Sequence, residues 1–181
     1  GMATSDLISL DPAKAFEFAG IGVNSQTYDR LLDFAPGKYD VPGPSLATSW
    51  SVSADGKTWT FKLRTDAKFH SGNPVTAADV VYSLGRVVTL KETPSFILTQ
   101  FGITPDSLKA IDTHTVQITL DKQYAGGIFL ACLASGVTGI VDSKVVQSHA
   151  KKTDKHPKGD MGLTWLSTNE AGSGSFIMRK W

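Results

Sequence analysis

A chain of 181 residues with 41% hydrophobic and 19% charged residues has the composition of a folded globular protein, long enough for one good core or two small ones. A formal net charge of +1 gives no support to nucleic-acid binding, and no dense basic stretch accompanies the aromatic residues. No apolar run approaches the ~20 residues of a membrane-spanning helix, and the single cysteine, Cys132, rules out an internal disulfide framework or a thiolate zinc site.

The start shows no signal-peptide pattern; Gly1-Met2 reads as an expression scar, and an export signal is expected to have been removed by design. Leu10-Asp11-Pro12 marks a turn, and Ala15 to Asp33, with Val23, Tyr28, Leu31 and Leu32 at mixed spacing, reads as a helix after it. Pro36-Gly37 to Pro42-Gly43-Pro44 is loop, punctuated repeatedly by proline and glycine.

Ser45 to Val88 is the most legible stretch. Trp50 and Val52 alternate with polar neighbours as in a half-buried strand. Asp55-Gly56 supplies a positive-φ turn. Trp59, Phe61 and Leu63 then point one way, and Thr58, Thr60, Lys62 and Arg64 the other. That is a hairpin with an aromatic face, and Trp50, Trp59 and Phe61 read as core. After Pro74, Thr76 stands as an N-cap with Asp79 three residues on. Val80, Leu84 and Val87 form the buried stripe of the helix that follows, widened by Val81 and Val88.

Thr89 to Thr104 is a linker containing Pro94. Leu108 to Asp112 and His114 to Leu120 read as two strands about a turn, with Val116, Ile118 and Leu120 alternating. Ile128 to Ala134 is a buried helix in which Cys132 serves as a small hydrophobe. Gly136 to Val141 is a short extended piece, and Ser143 to Ala150 a helix capped by Asp142 or Ser143. Lys151 to Asp160 is a solvated, charge-rich loop rather than an anion site.

Several of these pieces resemble the bacterial extracellular solute-binding proteins of family 5, the peptide- and nickel-type binding proteins of ABC importers. That family carries "LDP", then "Y-[ED]-x-L", matched here by Leu10-Asp11-Pro12 and Tyr28-Asp29-Arg30-Leu31. Its "LA-x-SW", "DG" and "T-x-x-F-K-L-R" elements stand at Leu46 to Trp50, Asp55-Gly56 and Thr58 to Arg64. Its "KFH-x-G-x-P-x-TA-x-DV-x-x-S" run is filled from Lys68-Phe69-His70 through Ser83, and "TV-x-I-x-L" by Thr115-Val116, Ile118 and Leu120. Where relatives carry "GTGPY", this chain has Gly172-Ser173-Gly174-Ser175-Phe176, and the loss of the proline at Ser175 bears on local rigidity.

The resemblance implies a mixed α/β fold of the type II periplasmic-binding-protein kind, present only as its N-terminal portion. It implies that 1–44 belong to a larger lobe, that 45–164 form a smaller inserted α/β domain, and that 165–181 return as a strand into the sheet of the larger lobe. It also implies a periplasmic protein that captures a peptide or similar small solute for a membrane permease, monomeric when full length. Cleft contacts implied by the family fall on Phe16, Glu17 and Phe18 after "LDP", on Ser95 and Phe96 beside Pro94, and on Ser135 and Gly136. Phe16 and Phe18 read equally as core, and Glu17 as a surface carboxylate or a partner for a peptide amino terminus.

No catalytic constellation competes with this reading. His70, His114, His149 and His156 form no HExxH or i, i+4 pair, so no metal is expected. His70, within a family motif, reads as a structural hydrogen-bonding residue. There is no GxSxG elbow and no GxxxxGK[ST] loop, and Gly20-Ile21-Gly22 is too short for a dinucleotide site. No enzyme activity and no cofactor are expected. The alternative is a stand-alone interaction module on a binding-protein scaffold.

Overall fold

The structure, a computed structural model, describes residues 6–179, so Gly1-Met2 and Trp181 lie outside the described residues. Its centre is the hairpin of β3 (Ala47–Val52) and β4 (Thr58–Leu63), with Trp50 opposite Phe61 and Val52 opposite Trp59. The turn closes through the Gly56 amide donating to the Ser53 carbonyl at 2.9 Å, and Gly56 takes φ +71°, open to glycine without steric cost. β5 (Leu108–Asp112) and β6 (Thr115–Thr119) complete an antiparallel sheet in the order β3-β4-β6-β5.

Period-two alternation gathers Trp59, Phe61, Leu63, Val116 and Ile118 onto one buried face. Across it lies α2 (Ala77–Leu90), packed on β5 and β6 and burying Val80, Leu84, Val87 and Val88. Each such side chain, fully removed from water, contributes about 1.5–3 kcal/mol before the entropy of ordering it. The helix starts where the sequence places it. Thr76 donates from both its amide (2.9 Å) and its hydroxyl (2.6 Å) to Asp79 Oδ2. α4 (Gly126–Leu133) closes one end of the core, its Phe129 ring 5.3 Å from Trp59 and 5.2 Å from Phe101.

Several expectations change. β3 has a single sheet neighbour among the described residues, so Trp50 is only half-buried and Val52 is 45% exposed at the end of its strand. α4 buries Phe129 and Leu133 alone, leaving Ile128 61% exposed. Cys132 is half-buried, and desolvation pushes its thiol pKa up. Gly136–Thr138 is a 3-10 turn rather than an extended piece. α5 (Ser143–Ser148) is capped by Asp142, whose carboxylate accepts from the amides of Lys144 and Val145.

At the N-terminal side, α1 (Phe18–Thr27) stops before the Tyr28-Asp29-Arg30-Leu31 run, and Tyr28 takes an extended conformation. Tyr28 is thereby free to enter a second cluster with Val141, Val146, Leu166 and Ala171. β1 (Leu32–Asp33), at the end of the stretch read as helix, pairs with β2 (Gly43–Pro44), at the end of the stretch read as loop. α3 (Phe96–Thr99) forms in the linker, and α6 (Leu163–Leu166) near the C-terminal end. From 167 to 179 no strand forms among the described residues. The expected return strand is replaced by an irregular segment whose Gly174 and Phe176 amides donate to the carbonyls of Thr27 and Gln26.

One buried ion pair ties these parts together. Arg86 on α2 donates from both terminal nitrogens to the Asp11 carboxylate, at 3.0 and 2.6 Å, with 1% and 0% of the two side chains exposed. Burial opposes the charge on Arg86, but Asp11 outweighs it and holds the guanidinium pKa above its ordinary value. Arg86 Nε also donates to the Met161 carbonyl at 2.8 Å. Close by, the buried Asp160 carboxylate accepts the amides of Lys151, Gly162 and Thr164. Burial alone would raise its pKa; these hydrogen bonds prevail and lower it to about 2.

Two outcomes follow for stability. Arg86→Met should cost about 3–5 kcal/mol in denaturant unfolding, because Asp11 is left buried and unpaired. Removing both charges in Asp11→Leu/Arg86→Met should cost clearly less; an equal or greater loss would contradict that cause. For Asp160 the folded pKa is depressed, so its contribution is complete above its ordinary value of 3.8 and is lost as pH falls toward about 2. Asp160→Asn should therefore remove about 2 kcal/mol at neutral pH and flatten the acid limb of the stability profile, read by thermal melts.

Candidate functional site

α1, the 3-10 turn after α4, and the β1 strand with the loop that follows it enclose a cavity of about 620 Å³ that opens on one side. Phe16 stands at one wall, with Ile21, Ser25 and Gln26 of α1 beside it. Ser135, Gly136 and Val137 form the opposite side, and Phe34 and Tyr39 contribute further aromatic surface. Helical periodicity explains the α1 wall, since Ile21 and Ser25 lie four residues apart on one face.

Two polar features stand at this cavity. Arg30 pairs with Asp33, whose other carboxylate oxygen accepts the Phe34 amide at 2.8 Å. The Ser135 hydroxyl is buried and has no hydrogen-bond partner among the described residues. The arrangement mixes aromatic surface with a few fixed polar groups, as small-molecule sites do.

Of the residues singled out from the sequence, Phe16, Ser135 and Gly136 line this cavity. Phe96 is brought to its edge, packing edge-on against Phe16 with ring centroids 5.7 Å apart. Both rings are about half exposed, Phe16 at 42% and Phe96 at 48%, so neither is core. Ser95 sits half-buried in the preceding turn, away from the lining. Phe18 is 92% exposed at the first position of α1. Glu17 turns back on its own chain, accepting the amides of Ile8 and Phe16 at 3.1 and 2.9 Å. The wall residues Arg30 and Asp33 went unread because only the fold brings them to Ser135.

His70 has the structural role expected of it. Its Nδ1 lies 2.9 Å from Glu170 Oε1, and its Nε2 lies 2.8 Å from the Gly174 carbonyl. Gly172 and Gly174 press directly on the C-terminal end of α1: a Cβ on Gly172 would overlap the Thr27 carbonyl oxygen. A smaller hollow of about 270 Å³ lies beside this contact, lined by Phe69, His70, Asp142, Val145, Glu170 and Ile177 among others.

The profile for bacterial extracellular solute-binding proteins, family 5 Middle, matches residues 41–181. The chain is 35% identical over 183 residues to a probable D,D-dipeptide-binding periplasmic protein of Escherichia coli K12, covering 98% of this chain and 32% of that protein. It is 32% identical to heme-binding protein A of Haemophilus influenzae, covering 94% of this chain and 32% of the relative. Among solved structures, the murein tripeptide binding protein of Escherichia coli superposes with a TM-score of 0.73 at 29% identity, over 96% of this chain and 34% of the other. A binding protein from Agrobacterium tumefaciens R10, solved with mannopinic acid, superposes with a TM-score of 0.76 at 28% identity, over 97% and 33%. The chain thus spans about a third of the length of the curated relatives it matches.

Gly172→Ala tests the close contact on α1. The added methyl should force the segment off Thr27 and lower stability by about 1–3 kcal/mol in chemical denaturation. An unchanged midpoint would mean that the segment shifts freely.

Proposed function

The chain belongs to the bacterial extracellular solute-binding proteins of family 5, with part of the mixed α/β, type II periplasmic-binding-protein fold, and from this premise we propose that its cavity is one wall of a solute-binding cleft. The protein serves as the substrate-binding component of an ABC importer, capturing a peptide or similar small solute and passing it to a membrane permease. It acts in the periplasm, as a monomer, and catalyses no reaction. Residues 1–44 and 165–181 belong to the larger lobe and 45–164 to the smaller one.

The observation that supports this reading most is the meeting of Phe16, Ser135 and Gly136, distant in sequence, around one open cavity with Phe96 at its edge. Glu17, Phe18 and Ser95 belong to the same three segments and reach the solute only where it extends beyond the cavity. The aromatic rings give apolar contact, while Ser25, Gln26 and the Arg30–Asp33 pair offer the hydrogen bonds that orient a polar ligand. The relatives' names cover a dipeptide, a heme and a murein tripeptide, so the scaffold hosts chemically different solutes.

Native mass spectrometry of freshly purified protein should release a bound small molecule and identify its class. Phe16→Ala and Phe96→Ala should each weaken its retention by about tenfold, the loss usual for an anchoring aromatic. Full retention in both variants would remove this cavity from solute capture.

A further inference from the structure

We propose that His70 is a proton-operated clamp that fastens residues 170–176 against the C-terminal end of α1. The inference stands on hydrogen-bonding geometry and is independent of what the cavity holds.

Both ring nitrogens face acceptors. Nδ1 lies 2.9 and 3.0 Å from the two Glu170 carboxylate oxygens, and Nε2 lies 2.8 Å from the Gly174 carbonyl oxygen. A carboxylate and a carbonyl have no proton to give, so each contact needs an N–H on the ring. The neutral imidazole has one, and the imidazolium has two. Only the charged ring satisfies both contacts at once.

The site is enclosed, with 14% of the His70 side chain and 7% of the Glu170 side chain exposed. It is also knotted into the backbone. The His70 amide donates to the Gly172 carbonyl at 2.9 Å, and the Gly172 amide donates to Glu170 Oε2 at 2.7 Å. Beyond this knot the Gly174 and Phe176 amides reach the Thr27 and Gln26 carbonyls of α1. The ring therefore fixes the position from which the segment grips the helix.

Among the described residues, the groups around the ring do not replace its charge. From the C-terminal end of α1, Tyr28 offers a buried phenol, kept neutral by burial and by the charges of Asp11 and Glu170. Asp29 is taken up by the Ser173 hydroxyl at 2.9 Å. From the start of α5, Asp142 is engaged by Ser71 and Asn73 and caps its own helix. On the ring's own loop Lys68 is exposed to solvent. Loss of one ring proton leaves a lone pair against an acceptor and strands Glu170 without its counter-charge. The clamp therefore holds while both ring nitrogens carry protons and loosens when one is lost.

The test combines two measurements on the protein and on Glu170→Gln and His70→Gln. Nitrogen-15 spectra of the imidazole should show both His70 nitrogens protonated on the acid side. Hydrogen exchange of the Gly174 and Phe176 amides, corrected for intrinsic rates, should lose about tenfold protection as the spectra show the second ring proton leaving. Glu170→Gln keeps the shape, lets the neutral ring accept from the new amide, and should flatten that profile. A singly protonated ring at acid pH would overturn the proposal, as would protection that does not change with pH. So would a loss that persists undiminished in Glu170→Gln, which carries the test even if His70→Gln fails to fold.

Discussion

The Asp11–Arg86 pair is the constraint on which the arrangement of this chain depends. Neither charge is tolerable alone in a dry interior, and the desolvation of two ions is balanced only by paired, well-aligned hydrogen bonds. Asp11 completes its shell with the Ala13 amide, and Arg86 with the Met161 carbonyl. Two segments far apart in sequence, around Asp11 and around Met161, are thereby held to one edge of α2. The apolar face of that helix is satisfied by any greasy sheet, but the buried charges accept one partner each. Hydrophobic contact drives the helix onto the sheet, while the ion pair decides where the leading segment must lie.

The same edge of α2 continues as a line of buried polar groups, each occupied. Ser83 donates to the Asp79 carbonyl and accepts the Val141 amide, and Asp79 accepts both the amide and the hydroxyl of Ser143. This line positions the chain after α4, from Gly136 to Ser143, which carries one side of the open cavity. Its other side rests on α1, and α1 is braced from behind by the segment that crosses Gln26 and Thr27. The cavity walls therefore take their positions from polar contacts set back from the cavity itself.

What could be read in advance was what is local. The hairpin and α2 declare themselves because period-two and helical spacing, a turn glycine and a capping pair all lie within a few residues of one another. The failures lie where tertiary partners decide. Nothing in Tyr28-Asp29-Arg30-Leu31 says that the helix stops at Thr27; the second cluster, built from residues beyond 140, draws Tyr28 away. Ile128 is as apolar as Phe129, but α4 shows the core one narrow face. The return expected over 165–181 forms no strand among the described residues, and its Gly172 meets the end of a helix. For the site, Phe16, Ser135 and Gly136 could be reached through family likeness, whereas Arg30, Asp33 and Tyr39 come into view only through the fold. The Glu17 carboxylate accepts the amides of Ile8 and Phe16, an engagement that no local pattern announces.

The outer strand β3 leaves one row of backbone donors and acceptors without a sheet partner among the described residues. Such a row is a template for a foreign strand, and a protein held at high concentration would stick to its own copies through it. The sequence of β3 works against that. Thr48, Ser49 and Ser51 are exposed and polar, Trp50 is turned inward against Phe61, and a bulge between Ala47 and Ser49 breaks the straight register that a docking strand needs. The bulge and the polar outer face of β3 thus guard this edge against self-association.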